Sequence, residues 1–568
     1  MALLGASFQI GRSALAAYQS AIAVTGQNIA NVGNAEYTRM TGRLSTLQGG
    51  QTLGGVSPGG GVILSALERH VDEALESRLR TALGSRAASE SAYQTLGEIE
   101  SLYNELTEYD LSTQLTQLFN SFADLQNEPT EMTTRHLVLA SADAVIRTLH
   151  RQRTSLLEKA ADLNQTITQT TVRANEIAGE IASLNELVVV QEARGSGFSA
   201  PLRDRRDALL RELAELMDIQ VRERGNGAIN VYVGSEPLVE FNRSRGLKVE
   251  TVLEDGLGRA TVRFADSNGT VIISDGKLAA QLEARDEYLI GQVNKLDQLA
   301  RGLIYEINRV HSTGRGLVGY TSLTSSYAVS DTSAALNSSA AGLPFPVSNG
   351  SFIVHVRNQS TGQTITRLIE VDLDGIGTDT SLEALAQQLN NVPGLRASIT
   401  ADNRLSIQPQ DGSEVFFSED SSGVLAAVGL ATLLDGVDAN TIDIVPAVRA
   451  DARLIAASLS GQDGDGSNAG RLAALSKASS SLLGNQSVSD FQAAMVNEVA
   501  IRTSAAMTAY EAADAVYSSL MAQREAVSGV SLDEEAVNLA KFERAFQGAA
   551  RFLGVLDTLS YEVLSLVE

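Results

Sequence analysis

The sequence predicts a multidomain α+β protein. Helices from both ends of the chain should form a terminal coiled coil and a helical, rod-like body, with two β-rich domains inserted between them. Three observations predict this class. The chain has 568 residues, too many for one hydrophobic core. Apolar residues recur at helical spacing near both ends. Two internal blocks instead alternate apolar and polar residues around glycine-rich turns.

The composition narrows the classes of function. Apolar residues make up 43% of the chain and charged residues 20%, as in soluble globular proteins. A formal net charge of -24 argues against nucleic acid and anionic membranes, because both attract basic surfaces. We expect no membrane insertion, since no run of about 20 apolar residues is present. The chain has no cysteine, which excludes disulfides, thiolate metal sites and cysteine nucleophiles.

The first element is a helix predicted over residues 7–30. Its apolar residues follow the alternating four-three spacing of a coiled-coil seam. Arg12 is the only charged residue among the first 35. A helix without charge on its polar face indicates packing on both faces, against copies of itself or a partner. A helix buried within a monomer is the alternative at this point. The predicted seam consists of Phe8, Gly11, Leu15, Tyr18, Ile22, Thr25 and Ile29.

The middle of the chain alternates between helical and β patterns. Residues 71–191 are predicted to be mostly helical and to contain one helix of about 35 residues. Residues 218–275 have the alternation of β-structure, and a helical pattern returns over 277–311. The block 320–455 is predicted as two strands, a helix and three strands. From Ala456 to the end the pattern is again helical.

The C-terminal helix mirrors the first one. Its seam contains Leu539, Phe542, Phe546, Ala549, Leu553, Leu556 and Val563, and Phe552 and Leu559 widen it into a stripe. Two such helices at opposite ends are natural coiled-coil partners. The predicted domains are a terminal coiled-coil domain (1–62 and 520–568), a helical body (63–200, 277–318 and 456–519), a β-rich inserted domain (201–276) and an outer inserted α+β domain (319–455).

The stretch "TGQNIANVGNAEYTR" at residues 25–39 resembles a motif of bacterial flagellar rod, hook and filament proteins, the axial protein family. In that motif asparagines close the first helix before a Gly-Tyr-Ser/Thr-Arg turn. The matching residues here are Asn28, Asn31, Tyr37, Thr38 and Arg39. Glu36 departs from the family, which usually has glycine there. We expect the asparagines to end the helix, because Asn tolerates the left-handed conformation.

Further stretches resemble the hook-associated protein 1 (FlgK) family of the hook–filament junction. "SGVSLDEEAVNLAKFERAFQGAARFL" at 528–553 is similar to its C-terminal motif and assembly helix, with both aromatics kept at Phe542 and Phe546. "LRDRRDALLRELAEL" at 202–216 and "GDGSNA" at 464–469 are similar to two internal segments. The block at about 345–430 resembles the insertion module that flagellins and their relatives share.

This resemblance implies a structural subunit, not an enzyme, with no catalytic residue, metal or cofactor. It implies polymerisation into a helical homo-oligomer between the hook protein and a second junction protein of the hook-associated protein 3 type. It also implies a cytoplasmic export chaperone that holds the C-terminal helix. The subunit would leave the cytoplasm through the flagellar channel, because its N-terminus lacks the basic region of a Sec signal. Its place would be extracellular, at the hook–filament junction.

Three alternatives remain at this stage. Another axial subunit, of hook or rod type, is disfavoured by the segment at 202–216 and the insertion module. A secreted adhesin or binding module would not need matched seams at both ends. An enzyme is disfavoured because the five histidines are scattered and no HExxH occurs.

Two acidic stretches have simple structural interpretations. "GQDGDGSN" at 461–468 lacks the glycine and glutamate that a calcium loop needs at its sixth and twelfth positions, so we interpret it as a solvated turn. Asp533, Glu534 and Glu535 precede an apolar helix, and we interpret them as acids that favour the helix dipole.

Overall fold

A computed structural model describes residues 2–34, 36–47, 59–103, 110–193, 199–254, 257–462 and 464–565. These residues divide into two compact units. The first unit draws on 1–95, 162–284 and 504–568, and the second on 96–161 and 285–503. The architecture confirms the predicted class, since long terminal helices pair and several small β-sheets are inserted between them.

Most helices before residue 217 and after residue 487 are long, and most of those between residues 277 and 474 are short. In chain order they are α1 (Ala2–Ala30), α2 (Glu73–Tyr103), α3 (Leu111–Asn127), α4 (Met132–Ala193), α5 (Ala200–Leu216), α6 (Lys277–Glu283), α7 (Ile290–His311), α8 (Leu382–Asn390), α9 (Val424–Val428), α10 (Pro446–Ala450), α11 (Ser467–Ala474), α12 (Val488–Ser528) and α13 (Leu532–Ser565). A π-helical turn, Ala284–Leu289, joins α6 to α7.

The strands form two-, three- and four-stranded antiparallel sheets within the described residues. In chain order they are β1 (Met40–Leu47), β2 (Gly61–Arg69), β3 (Gln220–Glu223), β4 (Ile229–Val233), β5 (Glu236–Glu240), β6 (Arg243–Ser244), β7 (Leu247–Glu254), β8 (Leu257–Phe264), β9 (Leu323–Thr324), β10 (Gly350–Asn358), β11 (Thr364–Val371), β12 (Leu395–Ile399), β13 (Leu405–Pro409), β14 (Ser413–Ser418), β15 (Leu434–Asp435) and β16 (Asp443–Ile444).

In the first unit α1 and α13 pack side by side and run antiparallel, since Gly11 contacts Leu553 and Asn28 contacts Glu535. The hairpin of β1 and β2 lies against α1, where the backbone N–H of Val62 donates to the Ser13 hydroxyl over 3.3 Å. α2 and α12 also run antiparallel, because Glu76 pairs with Arg524. The two ends of the sequence are thus built into one helical pair and its neighbouring hairpin.

The first unit also holds the β-structure predicted at 218–275. Strands β3 to β6 form a four-stranded sheet in sequence order, and β7 pairs with β8. The buried Asn185 of α4 donates to the carbonyls of Ile229 and Phe241 over 2.8 and 2.7 Å, so it ties this sheet to the helix. Residues 200–216 form α5, so the domain predicted at 201–276 begins with a helix.

In the second unit the predicted strand–strand–helix–strand–strand–strand order over 350–418 is confirmed. The sheets are β11-β10-β14 and β12-β13-β9. β9 belongs to the second sheet, because Leu323 pairs with Ile407. β9 precedes the insertion module predicted at about 345–430 but lies within the domain predicted at 319–455. The two ends of the chain between Ser348 and Ser422 meet, since the N–H of Ser348 donates to the carbonyl of Ser422 over 2.9 Å.

Two helix lengths differ from the predictions. The helix expected to have about 35 residues is α4, with 62 residues. Its seam extends towards the N-terminus through Val138, Val145 and Leu149, all buried. Conversely, the long helix expected in the region from Ala456 begins only at Val488, the first residue of α12, and the short helix α11 precedes it. Glycines with positive φ, among them Gly461 (73°) and Gly484 (63°), break the backbone before it.

Among the described residues no helix combines the length and apolarity that crossing a membrane requires.

Candidate assembly site

The fully buried residues of α1 are small or polar: Gly11, Ala17, Ala21, Thr25 and Asn28. Gly11 contacts Leu553 of α13, and Asn28 contacts Glu535 of the same helix. A Cβ at Gly11 would lie only 2.5 Å from Cδ2 of Leu553, so the two helices approach too closely there for a larger side chain. The larger predicted seam residues are half-buried: Phe8, Leu15, Tyr18, Ile22 and Ile29.

The outer face of α1 is open and carries almost no charge. Its exposed residues are Gly5, Gln9, Arg12, Ala16, Gln19, Ser20, Ala23, Gly26, Gln27 and Ala30. Arg12 is the one charged side chain among them. Small residues and uncharged amides allow another helix to approach closely and to form hydrogen bonds without bringing like charges together.

The predicted residues of α13 divide between its two faces. Leu556 is buried at 6% exposure, and Leu539, Phe542, Phe546 and Leu553 are half-buried towards α1. Leu559 and Val563 are instead exposed at 44% and 37%. They continue a line of exposed apolar side chains at three- and four-residue spacing, which we name the α13 stripe: Phe552, Val555, Leu559 and Val563.

Asn28 is the asparagine of the N-terminal motif that the fold buries, at 1% exposure. Its Oδ1 accepts from the Tyr37 hydroxyl over 2.7 Å and from the Met40 N–H over 3.1 Å. Its Nδ2 donates to the Met40 carbonyl over 2.8 Å and to Oε2 of Glu535 over 3.0 Å. One side chain therefore joins the end of α1, the start of β1 and the start of α13.

The predicted reason for these asparagines was wrong. The left-handed residue after α1 is Gly33, with φ at 80°. Asn31 instead donates from Nδ2 to the Gln27 carbonyl over 2.9 Å, and Asn34 accepts from the N–H of Glu36 over 3.1 Å. Glycine takes the positive φ at no steric cost, so the asparagines act through their side chains. Glu36 itself is exposed in the turn.

Arg39 and Glu535 form the charged part of the same cluster. Glu535 is 2% exposed, and its Oε1 accepts from Nε of Arg39 over 2.9 Å. A second guanidinium nitrogen of Arg39 pairs with the exposed Glu534 at 2.8 Å. The N–H of Arg39 also donates to the carbonyl of Ser528 over 2.9 Å. We name the group Asn28, Tyr37, Arg39 and Glu535 the terminal cluster.

Interpreting Asp533 to Glu535 through the helix dipole alone was therefore wrong for two of the three acids. No sequence rule separates Glu535 from Glu534, because both lie in the first turn of α13. The resemblance could have pointed to this contact, because it placed Arg39 in the N-terminal motif and the acidic run in the C-terminal motif.

The segment at 202–216, which also resembles the FlgK family, lies next to the terminal cluster. Arg69, at the end of β2, donates to Asp204 over 2.7 Å and to Asp207 over 2.5 Å, both on α5. Asp204 also forms a hydrogen bond with Thr38. Burial, with Asp204 and Glu535 nearby, raises the pKa of Tyr37 to about 12. Tyr37 is therefore a neutral hydroxyl donor at physiological pH.

The segment at 464–469 lies in the second unit and is an ordered structural turn. The carboxylate of Asp465 accepts hydrogen bonds from the hydroxyl of Ser458 and the backbone N–H groups of Leu459 and Ser467, over 2.7 to 2.9 Å. Asn468 is fully buried and donates to the carbonyl of Ala456. Protein donors surround Asp465 and Asn468 is buried, whereas Gln462, Gly464 and Ser467 are exposed, so only part of the stretch is the solvated turn that was predicted. Asp463 of the quoted stretch lies outside the described residues.

His311, the last residue of α7, is a buried structural residue of the second unit. Its ring is 1% exposed, with Nδ1 at 2.8 Å from the Ala431 carbonyl and Nε2 accepting from the N–H of Ala456 over 3.1 Å. Burial lowers its pKa to about 4, so the ring is neutral and joins two distant backbone segments.

Comparison with known proteins gives one consistent result. Residues 96–323 match the family described as the flagellar hook-associated protein FlgK helical domain. The chain is 26% identical to flagellar hook-associated protein 1 of Salmonella typhimurium over 580 aligned positions, covering 98% of both chains. It is 24% identical to the protein of that name from Escherichia coli, over 96% of this chain and 97% of the other.

A solved structure is similar in fold. The flagellar hook junction protein FlgK from Burkholderia pseudomallei aligns with 80% of this chain and 100% of its own, with a TM-score of 0.52 and 13% identity.

Proposed function

Because this chain is homologous along almost its whole length to flagellar hook-associated protein 1 (FlgK), we propose that it is a structural subunit that polymerises between hook and filament of the bacterial flagellum. The observation that carries the proposal is the pair of terminal helices. Within one subunit, α1 buries the sides that face α13 and the β1–β2 hairpin, and α13 buries the side that faces α1. The remaining surfaces are a helix face of α1 on which Arg12 is the one charged side chain, and the α13 stripe.

Both outer surfaces suit contacts that repeat around a helical polymer. A charge on an inner helix would face its own copies at every subunit, and like charges repel. The outer face of α1 avoids this with amides, hydroxyls and alanines. The α13 stripe offers apolar area whose burial contributes about 25 cal/mol per Å². These surfaces of the two terminal helices stabilise the subunit mainly in the polymer, where neighbouring subunits bury them.

We further infer the partners and the route. The subunit contacts copies of itself, the hook protein on one side and a second junction protein of the hook-associated protein 3 type on the other. Before assembly, a cytoplasmic export chaperone covers the α13 stripe, since exposed apolar side chains favour aggregation. The chain leaves through the flagellar channel and works outside the cell. Its role is structural, and the terminal cluster sets the geometry of the pair.

The decisive experiment compares, in cells, a substitution in the α13 stripe with one on another exposed face of α13. Val555→Asp places a charge in the α13 stripe, where Val555 is 58% exposed and makes little contribution to monomer packing. We expect the variant to be folded and exported, but absent from isolated hook–filament structures. Ala550→Asp, on an exposed face away from the stripe, is the matched control and should assemble normally.

The readouts are electron microscopy of the flagella and immunoblots of the cell, medium and sheared-flagella fractions. Hooks without filaments for Val555→Asp, with secreted protein in the medium, support the proposal. Normal filaments in a strain that lacks the gene would instead favour an adhesin or another accessory role. Missing hooks would favour a rod or hook subunit.

A further inference from the structure

A small pocket in the second unit is lined by three arginines. Its volume is about 80 Å³, which is more than one water molecule requires. Arg135 comes from α4, Arg315 from the segment after α7, and Arg357 from β10. Five described residues of the following turn complete the wall: Ser458, Gly461, Gln462, Gly464 and Asp465. Three stretches far apart in sequence therefore bring positive charge to one place, in a chain whose net charge is -24.

Arg135 is buried at 1% exposure without a carboxylate of its own. Its guanidinium donates to the carbonyls of Pro129 over 2.6 Å and Ile455 over 2.7 Å. The acid near it, Asp451, pairs with Arg453 at 2.7 Å. Carbonyl oxygens satisfy hydrogen bonds but do not neutralise a charge, so Arg135 leaves a net positive potential at the pocket.

Arg315 and Arg357 add two more cations beside one aromatic ring. Their guanidinium carbons lie 4.0 and 5.9 Å from the ring centre of Phe416. Arg357 is paired with the buried Glu414, whose Oε1 lies 2.6 Å from its Nε. Within the described part of the chain, Arg315 forms no ion pair. Burial and the neighbouring Arg357 lower the pKa of Arg315, as expected when like charges are held together.

Asp465 is the acid in the pocket wall, but it does not serve as the missing partner. Its carboxylate oxygens already accept from the hydroxyl of Ser458 and from the N–H groups of Leu459, Ser460 and Ser467. A carboxylate with that many short-range donors has little capacity left for a guanidinium. Its charge offsets one of the three arginines, and Glu414 offsets another. Counted over the residues that the structure describes here, one positive charge remains unbalanced.

We propose that this pocket binds a small free oxyanion of the size and charge of inorganic phosphate. Guanidinium groups present paired N–H donors that match the oxygens of phosphate or sulfate, and such charge-assisted hydrogen bonds are stronger than neutral ones. The anion would supply the negative charge that balances Arg315. It would also bridge the start of α4, the segment after α7 and the turn that contains Ser458 and Asp465.

The test is a titration of the full-length chain with inorganic phosphate, by isothermal calorimetry and by thermal unfolding in chloride buffer of matched ionic strength. We expect saturable binding and a melting temperature that rises with phosphate concentration, because a ligand that binds only the folded state stabilises it. Arg315→Gln should weaken the affinity at least about tenfold, since it removes the unpaired charge. Arg396→Gln, at an exposed position on β12, should bind as the wild type does.

Two further outcomes keep the test decisive. Circular dichroism shows whether Arg315→Gln is folded. If it is not, Arg315→Lys replaces it, and we expect a loss of affinity of about threefold to tenfold, because an ammonium lacks the paired donors. The proposal is overturned if wild-type protein shows no saturable phosphate binding. It is also overturned if the Arg315 and Arg396 variants respond equally, which indicates general charge screening.

Discussion

At the scale of single residues, the terminal cluster shows how a few polar side chains decide the local structure. Asn28 uses its whole amide, with two bonds to Oδ1 and two from Nδ2. Glu535 is nearly inaccessible while its neighbour Glu534 is exposed, although both contact Arg39. Buried charges stabilise only when their partners remain, so these two adjacent acids should differ strongly in effect.

We therefore predict that Glu535→Ala destabilises the packing of α1, β1 and α13 by about 3–5 kcal/mol, because it leaves Arg39 and Asn28 without their buried acceptor. Glu534→Ala should cost about 0–1 kcal/mol, as for an exposed ion pair. Amide hydrogen exchange at residues 28–40 measures the difference. Equal protection in the two variants would contradict the assignment of the cluster.

The neutral state of His311 leads to a pH prediction for the second unit. Its folded pKa is about 4, whereas an unfolded histidine titrates near about 6.5. Between these values the unfolded chain binds the extra proton, so the free energy of unfolding falls as the pH falls. The full loss is on the order of 3 kcal/mol, at about 1.4 kcal/mol per unit.

Denaturant midpoints of the second unit's transition at pH 7, 6, 5 and 4 test this prediction. His311→Gln should have a lower midpoint but a shallower pH dependence, while the exposed His136→Gln should keep the wild-type slope. An unchanged slope in His311→Gln would show that another group causes the pH effect.

At the scale of elements, the pairing of α1 with α13 includes a close approach at a small residue. Gly11 is fully buried, and a Cβ there would lie 2.5 Å from Cδ2 of Leu553. Close approach of two helices requires such residues, because packed interiors leave no free volume for additional carbons.

We predict that Gly11→Leu weakens this pair by about 1–3 kcal/mol through overpacking against Leu553. Gly26→Leu is the matched control, because nothing lies within 4 Å of a Cβ built at that glycine. The control should be neutral or stabilising by up to about 1 kcal/mol, since Leu favours helix more than Gly does. Rates of limited proteolysis within α1 compare the two. Equal rates would mean that the close contact does not govern the pair.

At the scale of the whole molecule, the second unit contains a module, residues 348–422, whose two ends meet. Ser348 and Ser422 are joined by a backbone hydrogen bond, so the chain between them could be removed with little strain at the junction. The module is nevertheless not independent of the preceding segment. β9 pairs with β13, and Tyr320 exchanges backbone hydrogen bonds with Val415.

We predict that deleting residues 350–420 and closing the gap leaves the rest of the chain folded and able to assemble, because loop closure depends only weakly on length. Residues 317–336 should become sensitive to protease, since they lose their strand partners. Mass spectrometry of the fragments and a motility assay measure the two effects. Loss of filaments would show that the module contacts neighbouring subunits.

The sequence alone determined much of the local structure. The order of strands and helix over 350–418 and the terminal helices followed from the spacing of apolar residues, because that spacing reflects which side of each element is buried. Resemblance to flagellar axial proteins, whose motifs lie at both ends and at several points between, agrees with the match of residues 96–323 to the FlgK helical domain and with the similarity to flagellar hook-associated protein 1.

Only the tertiary structure decided which polar groups meet. Asn28 and Glu535 are 507 positions apart, and nothing local to either residue indicates that they share a hydrogen bond. The same is true of Arg69 with Asp204, and of His311 with Ala456. Apolar patterning is a property of many residues together, so it can be recognised without knowing which element packs against them. A hydrogen bond depends on one donor and one acceptor within about 3 Å, and only the folded chain brings them there.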